Sequence, residues 1–357
     1  MGVVRELIEL GLAEEVPSSG PLRAGRPSLI VSPDLTVVAI GVDVAVDAVI
    51  VALIGFSGRL VRKIRHDFER VPTPTDVSEI VAEFVKEIGS SPGIRYRVAG
   101  IGVAIPGQVT AGDGVVREAS HLGWRNSSLR QALERATGLP TALDNAAKLG
   151  LVAEGAFGAG VDVSDLVYVI GGASGIGGGV VVGGKLIMGS YGYAGEIGHV
   201  LVRNGGLSCA CGSRGCLETE VVQADLLRAA GLRPTEVSQL ASAVVSQFDI
   251  NPELRDVVRR MNHYLAIALK SVVNVLNPQL VLLDGFLTAL LAVSSPLSSI
   301  DPEDRPIMVS GESIEVLSAT VGPDGVVLGA AELIFERLIA DPQDYFANLA
   351  TAHIREP

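Results

Sequence analysis

Cysteine is scarce: three residues in 357, all inside the octapeptide CACGSRGC from Cys209 to Cys216. An odd count confined to one loop excludes a disulfide framework and points to metal ligation in a reducing compartment. Positive charge is also short, with 28 Lys and Arg against 40 Asp and Glu, a net charge of −12. That excludes broad nucleic-acid binding by the bulk of the chain and leaves room only for a small local basic element. Long uncharged apolar runs are missing too. The most apolar stretch, VVAIGVDVAVDAVIVALIG, carries Asp43 and Asp47 and reads as two strands rather than a lipid-facing helix. The opening GVVRELIELGL alternates charge and aliphatics as a surface helix does, unlike a signal peptide. A cytoplasmic location without membrane contact is expected. There is no tandem repeat and no low-complexity segment.

What is abundant is glycine, 42 residues, beside 48% hydrophobic residues and only 4% aromatics. That mix suits an α/β protein with many tight turns, and the length suits two packed domains with a shared cleft. A strand–turn–strand–turn–strand pattern starts near Val37, followed by a helix expected to be capped by Asp76 with Glu79 three residues on. VAGIGVAIPG reads as a buried strand, SSLRQALERATG as an amphipathic helix, LPTALDN as a strand and AAKLGLVAEGAFG as a helix. A second strand–turn–strand set begins at DLVYVIGGASGIGGGVVVGGKLI. After the cysteine loop the chain is mainly helical, with one buried strand at QLVLLDG and a closing helix in GPDGVVLGAAELIFERLIA.

Structural zinc takes four Cys or His ligands in a tetrahedron. Cys209, Cys211 and Cys216 supply three, and His199, ten residues before Cys209, is the nearest upstream fourth. Such a set is closed, so the metal should organise the loop rather than react.

GEIGH followed by CACGSRGCLE resembles the ROK family of repressors, open reading frames and sugar kinases, and the resemblance runs from ELIELGL to GAAELIFERLIADP. It implies an actin-like, hexokinase-like (RNase H-like) two-domain α/β fold with a structural zinc loop, preceded by a winged-helix remnant. The implied division is 1–33 for the remnant, 34–145 with about 320–340 for the first domain, and 146–319 for the second. The resemblance also makes Glu196, His199 and Glu218 sugar ligands. A carboxylate accepting from adjacent hydroxyls is a strong, charge-assisted contact, and a metal on one nitrogen of His199 would fix its tautomer for the other. Asn145 and His121 are expected as further hydroxyl contacts, and Gly107, after Pro106, as a backbone contact. Trp124 is open to two readings, stacking on a sugar or, the commoner role of a lone Trp before a helix, anchoring the core.

The kinases of this family need a glycine-rich DxGxT turn, yet here Asp43 is followed by Ala45, Val46 and Asp47, which crowd the turn and add repulsion toward phosphate. They also need an aspartate general base after the asparagine, and that position is Ala146. Asp144, at the end of the preceding strand, points elsewhere. The second glycine turn, Gly171 to Gly175, is retained, while Asp284 stands where kinases favour glycine. The expectation is therefore no catalytic residue, no phosphoryl transfer and no ATP.

VVRELIELGLAEE and the later GRPS resemble the end of a recognition helix and the wing, with Arg26 and nearby Arg23 as minor-groove residues. The two preceding helices are absent, so specific operator binding, a property of the full-length family form, is not expected of this chain. The reading that results is a sugar-responsive regulator, a homodimer or dimer of dimers. Its alternatives are a sugar kinase and a sugar-binding protein that has lost DNA contact.

Overall fold

The aliphatic run that begins at Val37 folds as two antiparallel strands, Val37–Val44 and Ala48–Gly55, buried at almost every position. The computed structural model describes residues 2–17, 29–90, 95–110, 113–299, 314–343 and 345. In it, that hairpin lies inside a five-stranded sheet ordered Leu60–Asp67, Ala48–Gly55, Val37–Val44, Arg97–Ile105 and Thr141–Asn145. The first three strands are antiparallel neighbours, and the last two run parallel to Val37–Val44.

A second five-stranded sheet repeats this plan with Lys185–Leu186, Gly175–Val182, Leu166–Gly172, Leu280–Gly285 and Glu315–Ser318. Its strands alternate between antiparallel and parallel at the same places. The order is 3-2-1-4-5 in both sheets, counted within each half. The duplicated pattern is the actin-like, hexokinase-like architecture. Between the sheets lie the helices Ala146–Phe157 and Gly325–Ala340, packed on each other, the latter also covering the first sheet. The second sheet is covered by the long helix Pro252–Leu276, which starts at an Asn251 cap and stops at Asn277 in the left-handed conformation.

Helix Pro74–Ser90 begins before the expected Asp76 cap. Thr73 caps it instead: the Asp76 carboxylate accepts from the Thr73 amide at 2.7 Å, and the Asp76 amide donates to Thr73 Oγ1 at 3.2 Å. This is a reciprocal capping box, with Pro74 in the first turn where its missing N–H costs nothing. A small three-stranded sheet, Gln108–Thr110, Val115–Ala119 and Trp124–Ser127, was not expected. Trp124 is buried in the first core and donates to the Pro72 carbonyl at 3.0 Å, which is the anchoring role.

The N-terminal helix Gly2–Glu9 leads into a hairpin in which Ala13–Pro17 pairs antiparallel with Leu29–Pro33. Leu12 is buried, and Arg97 donates to the Gly11 carbonyl at 2.8 Å, fixing this element to the first sheet. Arg23 and Arg26 lie outside the described residues. Among the described residues no helix is long and apolar enough to cross a membrane.

Candidate functional site

The strand Thr141–Asn145 runs straight into the helix Ala146–Phe157 because Asn145 caps it. Asn145 Oδ1 accepts from the amides of Ala147 at 2.9 Å and Lys148 at 3.4 Å, and its Nδ2 donates to the Gly107 carbonyl at 3.0 Å. The side chain is therefore largely committed, with one amide hydrogen left for a ligand. Ala146, the first helical residue, offers only a methyl group at the base position. Asp144 is buried, accepts from the Asn145 amide at 2.7 Å and faces Lys148 Nζ at 3.5 Å. Lys148 is itself 2% exposed, and its ammonium also donates to the Gly192 carbonyl. Sequence reasoning missed this lysine, since a single cation in an apolar helix reads as its solvated face.

The loop after Gly195 turns through a short 3₁₀ segment, Ile197–His199, which sets Glu196 and His199 on one side. His199 Nε2 lies 3.9 Å from Glu196 Oε2, and its Nδ1 lies 3.6 Å from Cys209 Sγ. Cys211 Sγ and Cys216 Sγ are 3.7 Å apart, and the four donor atoms of His199, Cys209, Cys211 and Cys216 all lie within 4.8 Å of one another. Tetrahedral zinc with bonds of about 2.0–2.3 Å has edges of about 3.6–3.8 Å, so this donor set can hold such an ion. The knuckle closes tightly because Gly215 has no side chain: a Cβ there would stand 1.8 Å from the Arg203 carbonyl.

Cys216 is followed at once by the helical turn Leu217–Glu220, which aims Glu218 inward. Glu218 Oε1 is 3.0 Å from Cys209 Sγ, and Oε2 is 3.5 Å from His121 Nε2. His121 arrives from the first half on the turn Ser120–Leu122 of the small sheet. Burial raises the Glu196 carboxyl, with His199 and Lys148 opposing. Burial also raises Glu218, but its contacts with His121 and Cys209 outweigh that and leave it lowered. The expected residues Glu196, His199 and Glu218 thus cluster on the second half, and His121 meets them from the first. Asn145 and Gly107 meet each other through the side-chain bond to the Gly107 carbonyl.

The two sheets also carry buried carboxylates near their hairpin turns. Asp284 accepts from the Tyr168 hydroxyl at 2.5 Å and from the Gly285 amide at 2.6 Å. Burial raises the Asp43 carboxyl to about 7, against the charge of Arg65 and with a smaller push from Asp47. With its ordinary value at 3.8, Asp43 holds a proton in the folded protein that it loses on unfolding between about pH 4 and pH 7. Its contribution to stability is therefore fully present below about pH 4 and lost as the pH rises through 7. Asp43→Asn is expected to stabilise the protein by about 2–4 kcal/mol at pH 8 and to change little at pH 4. Urea unfolding at the two pH values measures this, and an equal effect at both would refute the assignment.

Two copies of one sheet topology facing each other over this polar cluster define a two-domain α/β protein of the hexokinase-like class. The chain belongs to the ROK family, which it matches over residues 39–337. It is 25% identical over 339 residues to the xylose repressor of Bacillus spizizenii, covering 94% of this chain and 87% of that protein. It is 30% identical over 319 residues to the glucokinase of Thermotoga maritima, covering 84% of this chain and 98% of that one. A solved ROK family transcriptional regulator, a homologue of the E. coli MLC protein, superposes with a TM-score of 0.76 at 23% identity, over 98% of this chain and 89% of that one. The family thus includes both repressors and sugar kinases.

Proposed function

We propose that this chain is the effector-sensing part of a sugar-responsive transcriptional regulator that binds a sugar in the cleft and transfers no phosphate. The observation that carries this reading is the pairing of an intact polar cluster with Ala146. Glu196, His199, Glu218 and His121 offer charge-assisted partners to neutral hydroxyls. At the helix start, the group that would take a proton from an attacking hydroxyl is a methyl. Asp144 does not replace it, because its carboxylate is held by Lys148 and the Asn145 amide. The xylose repressor relative supports a regulator, and the two-stranded hairpin after helix Gly2–Glu9 fits a wing. Operator contact belongs to the form with a complete winged helix, and the assembly would be a homodimer or dimer of dimers. The metal is zinc, and its role is to hold His199 and the loop to Glu218 in place.

The second reading, a sugar kinase, rests on the glucokinase relative. Isothermal titration with D-xylose, D-glucose and N-acetyl-D-glucosamine, run beside a coupled assay for ADP, separates the two. Binding of at least one sugar with ADP at background is expected, and Glu196→Gln should weaken that binding about 10- to 100-fold, the scale of a charged hydrogen bond. Sugar-dependent ADP release would hand the protein to the kinase reading. Absence of heat from any sugar would remove the sensor reading.

A further inference from the structure

Among the described residues Lys148 is the only buried cation, 2% exposed. An ammonium leaves water at a cost that opposite charge and hydrogen bonds must offset. Its Nζ lies 3.5 Å from Asp144 Oδ1, near the end of the last strand of the first sheet, and also donates to the Gly192 carbonyl. A counter-ion for Asp144 needs only the carboxylate. The bond to Gly192 is of another kind, because it joins the first turn of helix Ala146–Phe157 to a loop 44 residues further along the chain.

That loop leaves the second sheet after strand Lys185–Leu186 and ends in the turn Ile197–His199, so it delivers Glu196. It takes the left-handed conformation at Gly189, Gly192 and Gly195, with φ of +69°, +87° and +94°. Glycine loses more conformational freedom on ordering than any other residue, so a segment built this way is not stiff by itself. The Ala194 amide closes it by donating to the Met188 carbonyl at 3.1 Å, and Tyr193 Oη lies 3.4 Å from Thr110 Oγ1 of the first half. Gly192 lies against the same strand, where a Cβ on it would stand 3.2 Å from the Val109 carbonyl. Lys148 is the charged, water-excluded anchor among these contacts. Its charge also reaches Glu196: burial raises that carboxyl, and His199 and Lys148 oppose the rise.

We propose that Lys148 is a positioning residue: its bond to the Gly192 carbonyl orders the loop that presents Glu196, and so sets the affinity for the ligand Glu196 holds. The proposal rests on the reading of Glu196 as a sugar contact. Lys148 is enclosed, so it acts through Glu196 rather than by touching the sugar. The test compares the full chain with Lys148→Met, which keeps the length of the side chain without its charge, and with the double variant Asp144→Asn, Lys148→Met, which leaves no carboxylate unpaired. Where Lys148→Met alone does not fold, with Asp144 uncompensated, the neutral pair carries the comparison. Hydrogen exchange over residues 188–197 is followed without ligand. D-xylose, D-glucose and N-acetyl-D-glucosamine are titrated calorimetrically, with and without Glu196→Gln.

Both variants should exchange the Ala194 amide about tenfold or more faster than the wild type, the mark of a loop that opens locally. Both should bind sugar about 10- to 100-fold more weakly, the scale of a hydrogen bond to a charged group. Beside Glu196→Gln, Lys148→Met should change affinity by less than about twofold, since the group it positions is gone. A neutral pair with wild-type exchange and wild-type sugar affinity makes Lys148 only the counter-ion of Asp144 and overturns the proposal. So does Lys148→Met with wild-type exchange, or an equal loss of affinity with and without Glu196→Gln. Faster exchange in both variants, with no heat from any sugar in the wild type, upholds Lys148 as the anchor of the loop and counts against the sugar assignment alone.

Discussion

Chelating the metal from the folded protein at neutral pH lowers its thermal midpoint by roughly 10 °C and abolishes sugar binding, and Cys216→Ser does the same without chelator. The size follows from what the ion replaces. Structural zinc supplies about 10–16 kcal/mol to small peptides that fold around it. Here the loop is anchored at both ends, by the Leu201–Cys216 bridge and by the turn Leu217–Glu220, so only part of that energy is felt by the whole chain. At about 2.1 cal/mol/K of unfolding entropy per residue, each kcal/mol moves the midpoint of a chain this long by about 1–2 °C, so the shift corresponds to about 5–8 kcal/mol of the ion's energy. Binding suffers more than stability, because His199 is one of the four clustered donors and Glu218 lies 3.6 Å from its Nδ1. Elemental analysis should find one zinc per chain, and scanning fluorimetry with and without chelator measures the shift. A protein purified without zinc, or a Cys216→Ser variant melting with the wild type, would dismiss the structural ion.

The clustering of His199 with the three cysteines was legible in the sequence because its spacing is local: ten residues separate His199 from Cys209, and the cysteines fall within eight positions. Both hairpin meanders were legible for the same reason, since each is a continuous apolar stretch punctuated by turns. The start of the helix at Ala146 could be read from its Asn145 cap. What escaped is tertiary. The small sheet that delivers His121 is built from strands of three to five residues, too short to show a period. Its meeting with Glu218 joins segments from opposite halves of the molecule. Lys148 was hidden because only the approach of Gly192 and Asp144 makes a buried ammonium tolerable. The cap of Pro74–Ser90 was misplaced by one element of the box: Asp76 carries the carboxylate, but Thr73 is the residue that caps the start of the helix.

Glu154 gives the largest expected loss from a single side chain outside the cysteine loop. A carboxylate in the last turn of a helix opposes the helix dipole, so nothing local favours it there. The structure supplies the reason. Glu154 is 1% exposed; Oε1 accepts from the amides of Thr320 at 2.8 Å and Val321 at 2.7 Å, and Oε2 from the amide of Ala159 at 2.9 Å. Thr320 Oγ1 adds a fourth bond at 3.3 Å. One side chain thus ties the end of Ala146–Phe157 both to the entry into the second sheet and to the segment leading into Gly325–Ala340. Glu154→Ala leaves the amides of Ala159, Thr320 and Val321 without their acceptor and is expected to cost about 3–5 kcal/mol, the loss of three bonds to one buried carboxylate. Glu154→Gln keeps an acceptor for Thr320 and Val321 but turns an NH₂ toward the Ala159 amide, so about 1–3 kcal/mol is expected. Urea unfolding ranks the two, and sugar titration adds a second readout, since Asn145 caps the same helix. If Glu154→Ala unfolds within about 1 kcal/mol of the wild type, the net worth of a single ordinary hydrogen bond, Glu154 is not the pin between the two helices.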